Sequence, residues 1–131
     1  MTLWASYENA VFMMPKPFPK RWDFAVITAC NPRSKVLSDQ FNDSRDRQLE
    51  AELDLAGLDA RPLWGCSPDW QYREKSWAVR MSQAQAEALG RRLEQNAIYW
   101  VSQDLLYLVP CLLHSRETCV LGRFSERCYQ P

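Results

Sequence analysis

The stretch Asp23 to Cys30, DFAVITAC, constrains this chain more than any other. It is almost continuously apolar and rich in strand-forming residues. A strand with one wet face alternates apolar and polar side chains. This one does not, so it reads as a central strand covered on both faces. A chain of 131 residues buries roughly two thirds of its unfolded surface, which is enough for one ordinary core. The expectation is one domain, residues 1–131, built around that strand.

The flanking segments follow from periodicity and punctuation. Leu3 to Met14 places Trp4, Tyr7, Val11 and Phe12 at helical spacings, and Pro15, Pro17 and Pro19 end that helix. Asn31-Pro32 closes the central strand, and Asn31 to Leu37 is polar loop. A helix from about Ser38 to Ala56 has Ser38 as N-cap, an apolar face of Phe41, Leu49, Leu53 and Ala56, and Gly57 as the closing left-handed residue. Arg61 to Gly65 is a short strand. In the strand Glu74 to Met81, Trp77, Val79 and Met81 share one face. Ser82 and Gln85 form a capping box for a second long helix. Within that helix, Gly90 costs about 1 kcal/mol against Ala, which points to close packing. Ala97 to Val101 and Leu105 to Val109 form a hairpin about Ser102-Gln103-Asp104, and Cys119 to Phe124 is a last short strand. The chain thus divides into an N-terminal helix and Pro-rich arm (1–21), an α/β core (22–110) and a C-terminal tail (111–131).

Two strand–helix–strand crossovers joined by a hairpin favour an α+β fold. The expected form is a two-layer α/β sandwich with a mixed sheet, βαββαββ, ferredoxin-like with additions. The alternative is a three-layer Rossmann-like sheet, because the first strand looks buried on both sides.

Composition removes several functions. Sixteen Lys+Arg balance sixteen Asp+Glu, so wholesale capture of nucleic acid or an anionic membrane is excluded. No apolar run approaches the ~20 residues of a membrane span, and no secretory signal opens the chain, so a cytoplasmic location is expected. The five cysteines, Cys30, Cys66, Cys111, Cys119 and Cys128, form no C-x-x-C pair and are expected to be free thiols. His114 is the only histidine. The cluster Cys111, His114 and Cys119 matches no standard zinc spacing, so no metal is expected. No glycine lies in the Asn31–Leu37 loop, so no nucleotide-cofactor loop is expected either. Six tryptophans mean either an aromatic core or an aromatic contact surface.

Three stretches in order, ITACNP at Ile27 to Pro32, EKSWAV at Glu74 to Val79 and QNAIYWVSQDLLYLV at Gln95 to Val109, together resemble the uncharacterised bacterial family catalogued as domain of unknown function 3293. The resemblance runs from about Leu3 to Arg127. It implies a small stand-alone bacterial domain and carries no activity, substrate or catalytic residue with it.

One constellation invites chemistry. Ligands of α/β sheets sit beyond the carboxyl ends of strands, near helix N-termini. Asn31, Ser34, Ser38, Asn42 and Arg45 lie in or just after the loop that ends the first strand. Residues 38, 42 and 45 share a helix face. A helix start favours an anion, and Arg45 could fork onto a phosphate or carboxylate. The structural alternative has Ser38 capping the helix and Arg45 paired with an internal carboxylate such as Glu74. Glu74, beside the Trp70/Tyr72 loop, is also the candidate acid/base. The functional expectation is therefore a site for an anionic small molecule, nucleotide-like or another metabolite. The alternative is a non-catalytic module that binds a protein or a second copy of itself through Trp64, Trp70, Tyr72, Trp77, Tyr99 and Trp100.

Overall fold

The computed structural model describes residues 2–131. Three α-helices, α1 (Leu3–Glu8), α2 (Asp39–Leu55) and α3 (Gln83–Arg92), accompany eight strands. The strands are β1 (Val11–Met13), β2 (Phe24–Ile27), β3 (Ala60–Cys66), β4 (Arg73–Val79), β5 (Ala97–Ser102), β6 (Leu105–Pro110), β7 (Cys119–Arg123) and β8 (Cys128–Tyr129). They form one sheet in the order β7-β6-β5-β2-β4-β3-β1-β8. Every pairing is antiparallel except β1 with β8.

β2 lies in the middle and is buried along its whole length. Its side chains alternate between two cores. Ala25, Ile27 and Ala29 join Leu49 and Leu53 of α2 and Ala86 and Leu89 of α3. Phe24 and Val26 join Phe12, Leu63, Val101 and Phe124 on the other face. That second face is concave. The rings of Phe12 on β1 and Tyr99 on β5 are 5.1 Å apart, although four strand spacings, about 19 Å on a flat sheet, separate their strands. The sheet therefore curls into a half-barrel around an aromatic core.

Both expected architectures are corrected by this arrangement. A two-layer ferredoxin-like sandwich has one core and one open sheet face; here the sheet has eight strands, and its second face closes on itself. A Rossmann-like sheet is parallel with helices on both faces. Here the long helices keep to one face and the sheet is antiparallel apart from one edge pair. The chain from Val11 to Met14 is also not the end of a helix. Asn9 terminates α1, its side-chain amide donating to the Ala5 carbonyl (2.7 Å). Phe12 and Met14 then alternate into the core from β1. The tail supplies β8, whose flanking carbonyls at Arg127 and Tyr129 accept from Phe12 and Met14 (2.8 and 2.9 Å).

The capping box of Ser82 and Gln85 is present, and Gly90 lies against the sheet. A Cβ there would stand 2.7 Å from Cys111 Sγ and 2.8 Å from Ile98 Cγ2, both buried. Gly90→Leu should therefore lower the unfolding free energy by about 3 kcal/mol, the upper end of the usual overpacking cost. An unchanged denaturation midpoint would show that the helix has room to move.

Candidate functional site

Two-sided burial stops at the end of β2. Thr28, on the same face as Val26, is the first polar side chain, and its hydroxyl donates to the Lys75 carbonyl (2.7 Å) while accepting from Cys30 N–H (3.0 Å). The chain then turns at Asn31, whose φ of 48° is left-handed, a conformation asparagine tolerates better than most residues. Asn42 in the first turns of α2 locks this turn. Its Oδ1 accepts from Asn31 N–H (3.0 Å), and its Nδ2 donates to Asn31 Oδ1 (2.9 Å). Leu37 N–H donates to the same oxygen (3.0 Å). Asn31 Nδ2 is thereby aimed across the sheet end at the Tyr72 hydroxyl (2.9 Å) and Glu74 Oε2 (3.4 Å). The Tyr72 hydroxyl in turn donates to Glu74 Oε2 (2.6 Å).

These groups form the polar rim of a cavity of about 410 Å³ on the concave face. Phe12, Val26, Tyr99 and Leu108 line its depth, and Leu3, Ser6 and Tyr7 of α1 roof it. Two hydrogen bonds hold the roof. Ser34 Oγ meets the Tyr7 hydroxyl (2.8 Å), and the Tyr99 hydroxyl donates to the Tyr7 carbonyl (2.6 Å). Asn96 Nδ2 also donates to Ser34 Oγ (2.9 Å). Among the described residues Glu74 is the only charged side chain lining the cavity. Burial raises its carboxyl above the usual glutamate value, against the lowering effect of the hydrogen bonds from Tyr72 and Asn31 and of the nearby Thr28 hydroxyl. Burial and the neighbouring carboxylate likewise raise the Tyr72 hydroxyl.

The structure sorts the expected site residues. Asn31, Asn42 and Glu74 come together, and Ser34 stands at the mouth beneath α1. Ser38 accepts from Phe41 N–H (3.2 Å) as the α2 cap and does not line the cavity. Arg45 is neither an anion fork nor the partner of Glu74. Its Nε donates to the Ala29 carbonyl (2.6 Å) and its Nη2 to the Leu93 carbonyl (3.0 Å), so it ties the end of β2 to the end of α3. Phe41, expected on the inward face of α2, is 67% exposed. Asp46 takes an inward position instead, accepting from Trp77 Nε1 (2.8 Å) and pairing with Lys75 Nζ (3.0 Å).

The sequence reading did not place Tyr7, Thr28, Gln95 or Tyr99 at the cavity: Tyr7 was expected on the N-terminal helix stripe and Tyr99 on an aromatic contact surface. Tyr72 and Glu74, two apart at the start of a strand, could have been paired from the two-residue period alone. The five cysteines are free. Burial pushes the Cys30 and Cys66 thiols up and those of Cys111 and Cys128 to about 11, so none is a ready nucleophile. His114 is exposed in the loop after β6 while Cys111 is buried. Among the described residues no group of three or more His, Cys, Asp or Glu side chains gathers to hold a metal, and no helix is long and apolar enough to cross a membrane.

Fold and site thus define a curled eight-stranded sheet that carries a roofed, carboxylate-bearing cavity on its inner face. Residues 27–98, more than half of the chain, match the family model described as a protein of unknown function, DUF3293, and the chain belongs to that family. The matched segment runs from the end of β2 into β5 and includes Asn31, Asn42, Tyr72 and Glu74. No curated protein and no solved structure matches the chain.

Two outcomes follow for stability. A carboxyl whose folded pKa is raised binds its proton more tightly in the native state, so its contribution is present at low pH and is lost as pH rises through the raised value. Glu74→Gln should therefore be more stable than the parent at neutral pH. The difference should vanish as pH falls below the ordinary glutamate value of 4.5; denaturant melts across that range read it directly. Arg45→Ala should lower stability by about 1–3 kcal/mol by stranding two carbonyls. It should leave occupancy of the cavity unchanged, as titration of the variant would reveal.

Proposed function

We propose that the chain is a single cytoplasmic domain that binds a small, largely apolar molecule in the cavity beneath α1. Its polar end is held by Glu74, Tyr72 and Asn31. The observation that carries this reading is the combination in one roofed space of an apolar interior and a single half-buried carboxyl oriented by fixed donors. Ligand sites of ~300–1,000 Å³ combine apolar walls with a few placed polar groups in this way. The anionic ligand expected at Asn31, Ser34, Ser38, Asn42 and Arg45 loses its support, since Arg45 is committed to backbone carbonyls and, among the described residues, the one charged side chain lining the cavity is acidic. The binding residues are instead Asn31, Tyr72 and Glu74 at the rim, with Ser34 and Tyr7 at the roof.

A second reading, association with a protein or a second copy through aromatic surface, draws on Trp70 and Tyr129. These are 41% and 48% exposed and stack edge to face at 5.4 Å. Trp77, by contrast, is buried, and Trp64, Tyr99 and Trp100 are partly covered. Trp70→Ser should shift the oligomeric state in sedimentation if this patch is used.

Ligand-observed NMR with indole as probe tests the cavity. Indole should bind the parent and fail to bind Ala97→Phe, because Ala97 lines the space and a ring there fills it. The variant's melting temperature should stay close to the parent's. Equal binding by both proteins would place the probe elsewhere and remove the reading.

A further inference from the structure

The cavity is electrostatically lopsided. Both hydrogen bonds to the Glu74 carboxyl, from the Tyr72 hydroxyl (2.6 Å) and from Asn31 Nδ2 (3.4 Å), end on Oε2. Among the described residues no hydrogen bond ends on Oε1, and the one hydroxyl proton of nearby Thr28 is directed to the Lys75 carbonyl (2.7 Å). Lys75 points its ammonium to the opposite face of the sheet, over the Trp77 ring (4.1 Å) and onto Asp46. Among the described residues no lysine, arginine or histidine lines the space. A carboxylate taken from water into such surroundings requires a counter-charge or a proton. Fixed donors on one oxygen leave the other as the acceptor for whatever enters.

The walls suit a cation. The rings of Tyr7, Phe12, Tyr72 and Tyr99 line the same space. Their faces attract positive charge, and the tyrosine hydroxyls are already engaged with one another's backbone or with Ser34 and Glu74. An anion would meet the Glu74 charge with no compensating donor. A wholly apolar guest would leave Oε1 without a partner and cover it from water.

We propose that the cavity selects a cationic amine carried on an apolar, ring-sized body, with its ammonium set on Glu74 Oε1 and its body packed against Phe12, Val26, Tyr99 and Leu108. This assignment rests on the small-molecule reading above and names the ligand class for the same site. The ammonium supplies the missing counter-charge, and the apolar body replaces water in the interior. The raised Glu74 carboxyl agrees with a charge that lacks a partner among the lining residues.

Three indoles of similar size separate the possibilities: tryptamine, the alcohol tryptophol and the acid indole-3-acetate, each titrated calorimetrically into the full chain at neutral pH. Tryptamine should bind at least about tenfold more tightly than tryptophol, the usual advantage of a charge-assisted bond. Indole-3-acetate should be the weakest. Glu74→Gln should abolish the preference for tryptamine over tryptophol, bringing the two to similar affinity. Two results would overturn the amine assignment while the cavity stands: tryptophol or indole-3-acetate binding as tightly as tryptamine, or Glu74→Gln keeping the tryptamine preference. Binding of all three that survives Ala97→Phe, or no binding of any, would overturn both.

Discussion

The reciprocal amide pair between Asn31 and Asn42 holds the fold and the cavity in register. Asn31 accepts from Leu37 N–H and Asn42 Nδ2 and gives its own N–H to Asn42 Oδ1, which ends β2, holds the left-handed turn and places α2. Only after these bonds are made does its remaining Nδ2 point at Tyr72 and Glu74. Each bond alone contributes about 1 kcal/mol net, but a part-buried amide left unpaired costs more than a formed bond contributes. The group therefore behaves as a unit, and loosening its structural side would misaim its functional side. Arg45, one turn further along, is bonded separately, to the Ala29 and Leu93 carbonyls rather than to either asparagine.

Burial of β2 on both faces then dictates the shape of the sheet. One face is covered by α2 and α3. With no long helix left for the other face, the sheet has to cover itself, and it does so by curling until Phe12 of β1 reaches Tyr99 of β5 and Phe124 of the tail (5.1 and 5.3 Å). The short edge strands β1 and β8 make this possible because they join the sheet without stiffening its rim. The curl is filled at its base by Phe12, Phe24 and Phe124. Toward the carboxyl end of β2 the phenylalanine packing gives way to Thr28, Ser76 and Glu74, and a space lined partly by tyrosines remains under the six-residue α1. The cavity is the part of the half-barrel that its own side chains do not fill.

Elements with strong periodicity or caps were legible from the residues: α2 with its Ser38 cap, α3 with its capping box and Gly90, the β5–β6 hairpin, and β2 as the doubly buried strand. What escaped was set by distant contacts. β1 and β8 are three and two residues long and exist only because they pair with β3 and with each other. The apolar residues of β1 fitted a helical spacing equally well, and those of β8 carried no strand pattern of their own. Phe41 looked like core by its spacing from Leu49, yet α2 begins beyond the apolar part of the sheet. Its inward positions there are polar, Asn42, Arg45 and Asp46, and meet backbone ends and the Trp77 indole, whereas Leu49 and Leu53 further on meet the core. Likewise Tyr7 of the roof and Tyr99 of the cavity wall, 92 positions apart, carry no local signal that they meet.

The expected anion site shows why a helix start with a nearby arginine is an incomplete argument. Whether such a place attracts an anion depends on which donors remain free after folding. Here Ser38 caps Phe41 N–H, Asn42 is occupied by Asn31, and two guanidinium nitrogens of Arg45 are bonded to carbonyls. The positive character of this corner is thus absorbed in joining β2, α2 and α3. Across the sheet end the balance is reversed. Glu74 brings a carboxylate, the bonds of Tyr72 and Asn31 converge on one of its oxygens, and no cationic side chain lines the space among the described residues. Counting donors and acceptors after the structural bonds have taken their share, rather than reading charges along the chain, gives the cavity its sign. By that count the unmet group at this end of the sheet is an acceptor.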